Sequence, residues 1–351
     1  MMAAPVETGF FEQTIESIQR FTTRQACATL SRSFDQAMPP ITATFGSNEM
    51  QERMGRAWRL FADPTPHKEA FQFYYLDEAT SGFPMPELPC QLEDIGVQGV
   101  IHGLHEADRK AVWQSGSRAL YLFDRQQGWG LFWTKDARQL PHWESSFPLR
   151  YVIAWLGEGN PGLLAHAGAV GIDGRAVLLV GKGGSGKSTT SLSALAHGME
   201  FLGDDYTLVQ AGKQPTVHAL STAAKIDQGR LPMLGLTDCE CHELGVTEET
   251  NKRVIYLETD FAAQFRRQSQ LCAIMHPMID ANGPRIEPMS KAAMLRALAP
   301  STIFQIPTNR QNVFKKLSQL VAELPCFCFR VGPDLSANAS LLKEHLLTPT
   351  V

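Results

Sequence analysis

The segment GKGGSGKST, residues 181–189, gathers glycines, a lysine and hydroxyls in a spacing suited to polyphosphate. Gly181, Gly186, Lys187 and Ser188 fit the pattern G-x-x-x-x-G-K-[ST]. Gly181, Gly183, Gly184 and Gly186, with Ser185 among them, let backbone N–H groups turn inward onto phosphate oxygens. Lys187 supplies a point charge for the outer phosphates, and the Ser188 hydroxyl, followed by Thr189, is placed to ligate magnesium. The chemistry expected is binding of a nucleoside triphosphate, ATP, with Mg2+. Asp204 and Asp205 follow Lys187 by only 17 and 18 residues. One carboxylate is expected to hold the metal. The other can take a proton from an attacking hydroxyl. His166 lies upstream in LLAHAGAVGIDG.

These residues need elements to position them. AVLLV (176–180) is a continuous apolar run of the kind a buried strand shows. The glycine loop comes next, then a helix from Lys187 with Leu192, Leu195 and Ala196 on one face and Gly198 at its end. MEFLGDDYTLV (199–209) reads as the next strand, carrying the two aspartates. Strand, loop, helix and strand in that order predict an α/β layer. Further on, RVIYLE (253–258) and LCAIMHPMI (271–279) read as strands. SKAAMLRALAP (290–300) reads as a helix opened by Ser290 and closed before Pro300, and NVFKKLSQLVAEL (312–324) as an amphipathic helix.

The first part of the chain has a different texture. Phe11, Ile15, Ile18 and Phe21 recur at helical spacing within 8–37, ahead of Pro39 and Pro40. FQFYYLDE (71–78) and RALYLFDRQQGWGLFWT (118–134) read as strands, the second folded at a turn over 125–128. PLRYVIAWL (148–156) reads as a helix joining this part to the next, and GEGNPG (157–162) as a turn. The division falls at 150–160, giving an α+β domain over 1–155 and a catalytic domain over 156–351. The first domain carries no readable motif, and its sheet edges are suited to capturing an extended peptide.

Taken together, LLAHAGAVGIDGRAVLLVGKGGSGKSTTSLSALAHGMEFLGDDYTLV (163–209) resembles the catalytic core of the HPr kinase/phosphorylase family. It looks most like the HPr-kinase-related serine kinases of bacterial biosynthetic clusters, such as those that modify lasso peptides. The resemblance implies an α/β fold: a P-loop kinase domain of HPr-kinase type with a mixed sheet, behind a smaller α+β domain. It also implies an ATP- and Mg2+-dependent serine kinase acting on a peptide or protein that carries a hydroxyl. Lys187 and the loop backbone would hold the β- and γ-phosphates, while Ser188 and Asp204 would hold the metal. Asp205 would be the base, and His166 would stabilise the transferred phosphoryl group. The chain departs from the family at Thr189, where a glutamate is usual, and STAAKIDQGRLP (221–232) stands where a Gly-rich signature is expected. Both departures count against HPr itself as acceptor and against the reverse reaction. Lys225, Arg230, Lys252 and Arg253 are basic candidates near that segment. HPr kinases form hexamers, so a homo-oligomer stays open. An ATP-driven regulatory protein and a small-metabolite kinase are the alternatives.

Composition bounds the rest. With 44% apolar residues a large core can form, and a net charge of −4 without a basic run argues against a nucleic-acid partner. No run of ~18 apolar residues predicts a membrane span. The N-terminus has neither the basic nor the apolar region of a signal peptide, so a cytoplasmic setting is expected. Seven cysteines, odd in number and scattered, read as reduced thiols. The CxC pairs at 239–241 and 326–328 lack the partners of a zinc site.

Overall fold

The computed structural model describes residues 9–91, 94–243 and 251–348. Residues 1–8, on which the expectation about a signal peptide partly rests, lie outside them. The chain is a mixed α/β protein that divides into two compact units, Met1–Leu156 and Gly157–Val351.

The first unit runs α1 (Phe10–Arg24), β1 (Ala28–Arg32), β2 (Ile41–Phe45), α2 (Asn48–Gly55), β3 (Phe71–Asp77), β4 (Arg109–Gln114), β5 (Ala119–Asp124), β6 (Trp129–Thr134), α3 (His142–Ser145) and the start of α4 (Arg150–Gly159). The six strands form one sheet in the order β1-β2-β3-β6-β5-β4, with β3 parallel to β2 and β6 and the other pairs antiparallel. Side chains alternate across a strand. Leu120 and Leu122 of β5 therefore pack with Phe11, Ile15 and Ile18 of α1. Tyr121 and Phe123 meet Tyr151 and Trp155 of α4 at 4.1 and 5.6 Å between ring centroids. Both faces are covered, so β5 and β6 are buried along their whole length. The helix expected over 8–37 ends at Arg24, because β-branched Thr29 and its neighbours pair with β2 instead.

The second unit continues with β7 (Leu163–Ala165), β8 (Gly168–Ile172), β9 (Arg175–Leu179), α5 (Lys187–Ala196), β10 (Glu200–Gly203), β11 (Thr207–Gln210), β12 (Thr216–His218), β13 (Ala223–Asp227), α6 (Leu231–Leu234), β14 (Cys241–Glu243), β15 (Lys252–Tyr256), β16 (Gln268–Ile279), β17 (Arg285–Pro288), α7 (Lys291–Ile303), α8 (Arg310–Glu323), β18 (Cys326–Val331) and α9 (Leu335–Leu347). Nine strands make a mixed sheet around β9 and β16, which are parallel, and β13-β15-β14 make a small antiparallel sheet. Val177 and Leu179 of β9 lie in one cluster with Ala194 of α5, Met275 of β16 and Leu342 of α9. This cluster seats the helix that follows the glycine loop.

Three local readings are corrected here. Residues 199–209 are two strands, β10 and β11, broken by a bend at Gly203, whose φ is 154°. α7 runs through Pro300 to Ile303. α4 extends to Gly159 into the stretch read as a turn, and Lys316 caps its end: the ammonium donates to Gly157 O, Asn160 O and, at 3.1 Å, Gly162 O. Among the described residues no helix is long and apolar enough to cross a membrane. All seven cysteines are free thiols. Lys316→Met should lower the unfolding free energy by roughly 1–3 kcal/mol, the value of charge-assisted hydrogen bonds left unmade. A urea midpoint equal to wild type would show that the cap contributes nothing.

Candidate functional site

β9 ends at Leu179, and its parallel neighbour β16 runs on to Ile279. The glycine loop therefore leaves at the carboxyl end of a parallel pair, where α/β sheets open a crevice. Three loop glycines take positive φ: Gly181 at 143°, Gly184 at 80° and Gly186, the N-cap of α5, at 104°. A Cβ on Gly181 would come 2.6 Å from the His276 ring and 2.8 Å from Ser185 Oγ. That close approach explains a glycine there better than flexibility does. His276 Nδ1 donates to Val180 O at 2.8 Å and packs against the loop's entry. Lys187 is 6% exposed, and its Nζ donates to Gly181 O at 2.6 Å and Lys182 O at 3.2 Å. Burial lowers its ammonium pKa, against the opposing charges of Asp205 and Asp204.

The bend after β10 points the two aspartates into different surroundings. Asp204 is fully buried. Its Oδ1 accepts from Ser191 Oγ at 3.1 Å, its Oδ2 from the Lys225 backbone N at 2.9 Å, and Ser188 also donates to it. Burial raises the Asp204 carboxyl above the usual range, and the neighbouring charge of Asp205 adds to this. Asp205 keeps 20% of its side chain exposed, with Lys225 Nζ 2.8 Å from Oδ2 and His166 Nε2 3.3 Å from Oδ1. Burial works to raise this carboxyl too, but the Lys225 charge and the His166 hydrogen bond outweigh it and hold it well below its ordinary value. His166 stands between β7 and β8. Its backbone N donates to Thr302 Oγ1 at 3.2 Å, and its ring lies 5.4 Å from that of Tyr206. The buried Nδ1 has no partner, nor has Ser185 Oγ in the loop.

The structure thus places His166, Asp205, Asp204, Ser188 and Lys187 in one connected neighbourhood, with Gly181, Gly183, Gly184, Ser185, Gly186 and Thr189 along the loop and the first turn of α5. Four further residues join it, of which Lys225 and Arg230 were among the basic candidates and Ser191 and His276 were not read from the sequence. Ser191 shares a helix face with Ser188 three residues earlier, and that spacing was a usable signal. Lys225 emerges from the basic candidates because its backbone and side chain contact one aspartate each. Arg230 reaches Thr189, with Nη1 3.3 Å from Oγ1. His276 carries no local signal, since only the β9–β16 pairing brings it to the loop. Arg253 is turned elsewhere, to Gln228 and Glu243.

These residues fit a magnesium-bound polyphosphate. The glycine backbone is open at Gly183 and Gly184, the Ser185 hydroxyl is buried without a partner, and Ser188 and Asp204 offer hard oxygen ligands. Among the described residues no group of three or more His, Cys, Asp and Glu forms a self-contained metal site. Ser188 and Asp204 would leave the remaining ligands to phosphate and water.

No protein-family model matches the chain, and no curated protein matches it. Among solved structures the chain is similar to one described as "Structure of the Hpr(Ser) kinase/phosphatase from Coxiella burnetii". The identity is 15%, the TM-score 0.28, and the match covers 52% of this chain and 96% of that one. A likeness of that size carries no argument about chemistry, which rests on the residues above.

The Asp205–Lys225 pair has a pH signature. A carboxylate depressed on folding adds stability that is present above its unfolded pKa and is lost as pH falls through its folded value. The difference in unfolding free energy between wild type and Lys225→Met should therefore be largest near neutral pH and shrink below about pH 4. Chemical denaturation at a series of pH values measures it. A constant difference would mean that Lys225 acts through packing rather than charge.

Proposed function

We propose that this chain is a magnesium- and ATP-dependent kinase that transfers the γ-phosphoryl group to a hydroxyl, serine in a peptide or protein being the acceptor class. One observation carries the reading. Asp205 stands outside the buried Asp204, fixed by His166 and Lys225, at the bend that follows the glycine loop's own helix. A nucleotide hydrolase needs one carboxylate for its metal and a means of holding water; this site has a second, partly exposed carboxylate in reach of the same loop. The resemblance of residues 163–209 to the HPr kinase/phosphorylase family supports serine as acceptor.

The geometry supports the following roles. Lys187, the loop N–H groups and the start of α5 hold the β- and γ-phosphates. Ser188 and Asp204 would hold Mg2+, which would neutralise phosphate charge. Asp205 orients the acceptor hydroxyl and takes its proton as the acceptor oxygen–phosphorus bond forms and the bond from the γ-phosphorus to the β-bridging oxygen breaks. Phosphoryl transfer passes through a loose transition state, so catalysis is chiefly positioning and charge neutralisation. A carboxylate held below its usual range is then an adequate acceptor, because little proton transfer is needed early. His166 and Lys225 orient Asp205, and the Lys225 ammonium adds positive charge beside the group in flight.

Transfer from γ-labelled ATP to Ser-containing peptides tests this. Asp205→Asn should lower transfer by roughly 10²- to 10⁴-fold, the usual contribution of a positioned base, while nucleotide affinity changes little. Lys187→Ala should lose nucleotide affinity and turnover together. Undiminished transfer by Asp205→Asn would remove the proposed base. Free phosphate without a labelled acceptor would favour the ATP-hydrolysing regulator.

A further inference from the structure

The first strand of the small sheet β13-β15-β14 packs beside α5, and the turn that follows it reaches that helix's first turn. Asp227, the last residue of β13, accepts from Gly229 N at 2.9 Å and so shapes the tight turn Gln228–Arg230. α6 follows at once, with Leu231 and Leu234 buried at 6% and 5% exposure and Pro232 in its opening turn. The backbone of Arg230 is thus fixed from both sides, while its side chain stays exposed. The guanidinium goes to Thr189 Oγ1, 3.3 Å away, in the first turn of α5 directly behind Lys187 and Ser188.

That contact is a poor use of an arginine for stability. A guanidinium is a rigid fork of donors matched to carboxylate or phosphate, and a single bond to a neutral hydroxyl leaves most of the fork unused. Its surroundings favour anions. Arg230 reaches the first turn of α5, the positive end of that helix, and Lys252 of β15, paired in register with Asp227, adds positive charge near Lys187.

We infer that Arg230 is a donor-phosphate ligand, carried by the β13–α6 corner as a clamp over the first turn of α5. The inference rests on the nucleotide-binding reading of the loop and adds to it a residue outside the loop pattern. The nucleotide's phosphates would take a bidentate contact from the fork, with Thr189 as the pivot that keeps the guanidinium in place beforehand.

Calorimetric titration of the full chain with ADP and magnesium tests it, since binding is read without any acceptor. Arg230→Ala should raise the ADP dissociation constant about tenfold or more, in line with loss of a charge-assisted bidentate contact. It should also flatten the dependence of binding on salt. Arg230→Lys, which restores charge but not the fork, should recover only part. Thermal midpoints of the unliganded variants should match wild type, as expected for an exposed side chain bonded to one hydroxyl. If wild type binds ADP and Arg230→Ala binds it equally well, the clamp is overturned and the kinase reading stands. If wild type itself fails to bind ADP, the nucleotide reading of the loop falls and the clamp with it.

Discussion

The site depends on one buried carboxylate. Asp204 accepts hydrogen bonds from Ser191 and Ser188 on α5 and from the Lys225 backbone on β13, so a single side chain ties together the loop's helix, the bend after β10 and the small sheet. A carboxylate taken fully out of water is costly unless its lone pairs are satisfied. Here three donors do that, and they fix the relative positions of three segments. With Asp204 anchored inward, the next residue must turn the other way. Asp205 therefore reaches the mouth of the site, where Lys225 and His166 meet it. Two adjacent carboxylates in one environment would repel each other. The bend separates their surroundings, one satisfied by neutral donors and the other by the Lys225 charge and a hydrogen bond from His166.

Much of this was legible in the chain. The glycine spacing, the apolar run before it and the short interval to Asp204–Asp205 predict a strand, a glycine loop, a helix and a returning acidic segment, and the structure has those elements in that order. The resolution of 199–209 into two strands was less accessible. Apolar residues on both sides of the aspartates conceal a break that Gly203 makes and that the strand pairing selects: β10 lies beside β8, whereas β11 pairs with β7 and β12. The choice of Lys225 among four basic residues could not be read locally, because it is made by packing between segments about twenty residues apart. His276 lies further still from the loop in sequence, and only a parallel strand pair brings it there.

The first unit shows the converse case. Its aromatic strands are apolar on both faces, one packing against α1 and the other against α4. Tyr121 and Phe123 of β5 are buried in the core, as their aromatic and apolar run leads one to expect. Any contribution of this unit to acceptor choice must come from its edges and loops.

The central claim is that the loop and Asp205 address the same reacting group. An experimental structure with magnesium and a non-hydrolysable ATP analogue tests it most directly. The account predicts the terminal phosphate within hydrogen-bonding reach of Lys187 and beside the His166–Asp205–Lys225 group, with the metal on Ser188 and near Asp204. A nucleotide bound with its terminal phosphate directed away from Asp205, or bound elsewhere on the chain, would contradict it.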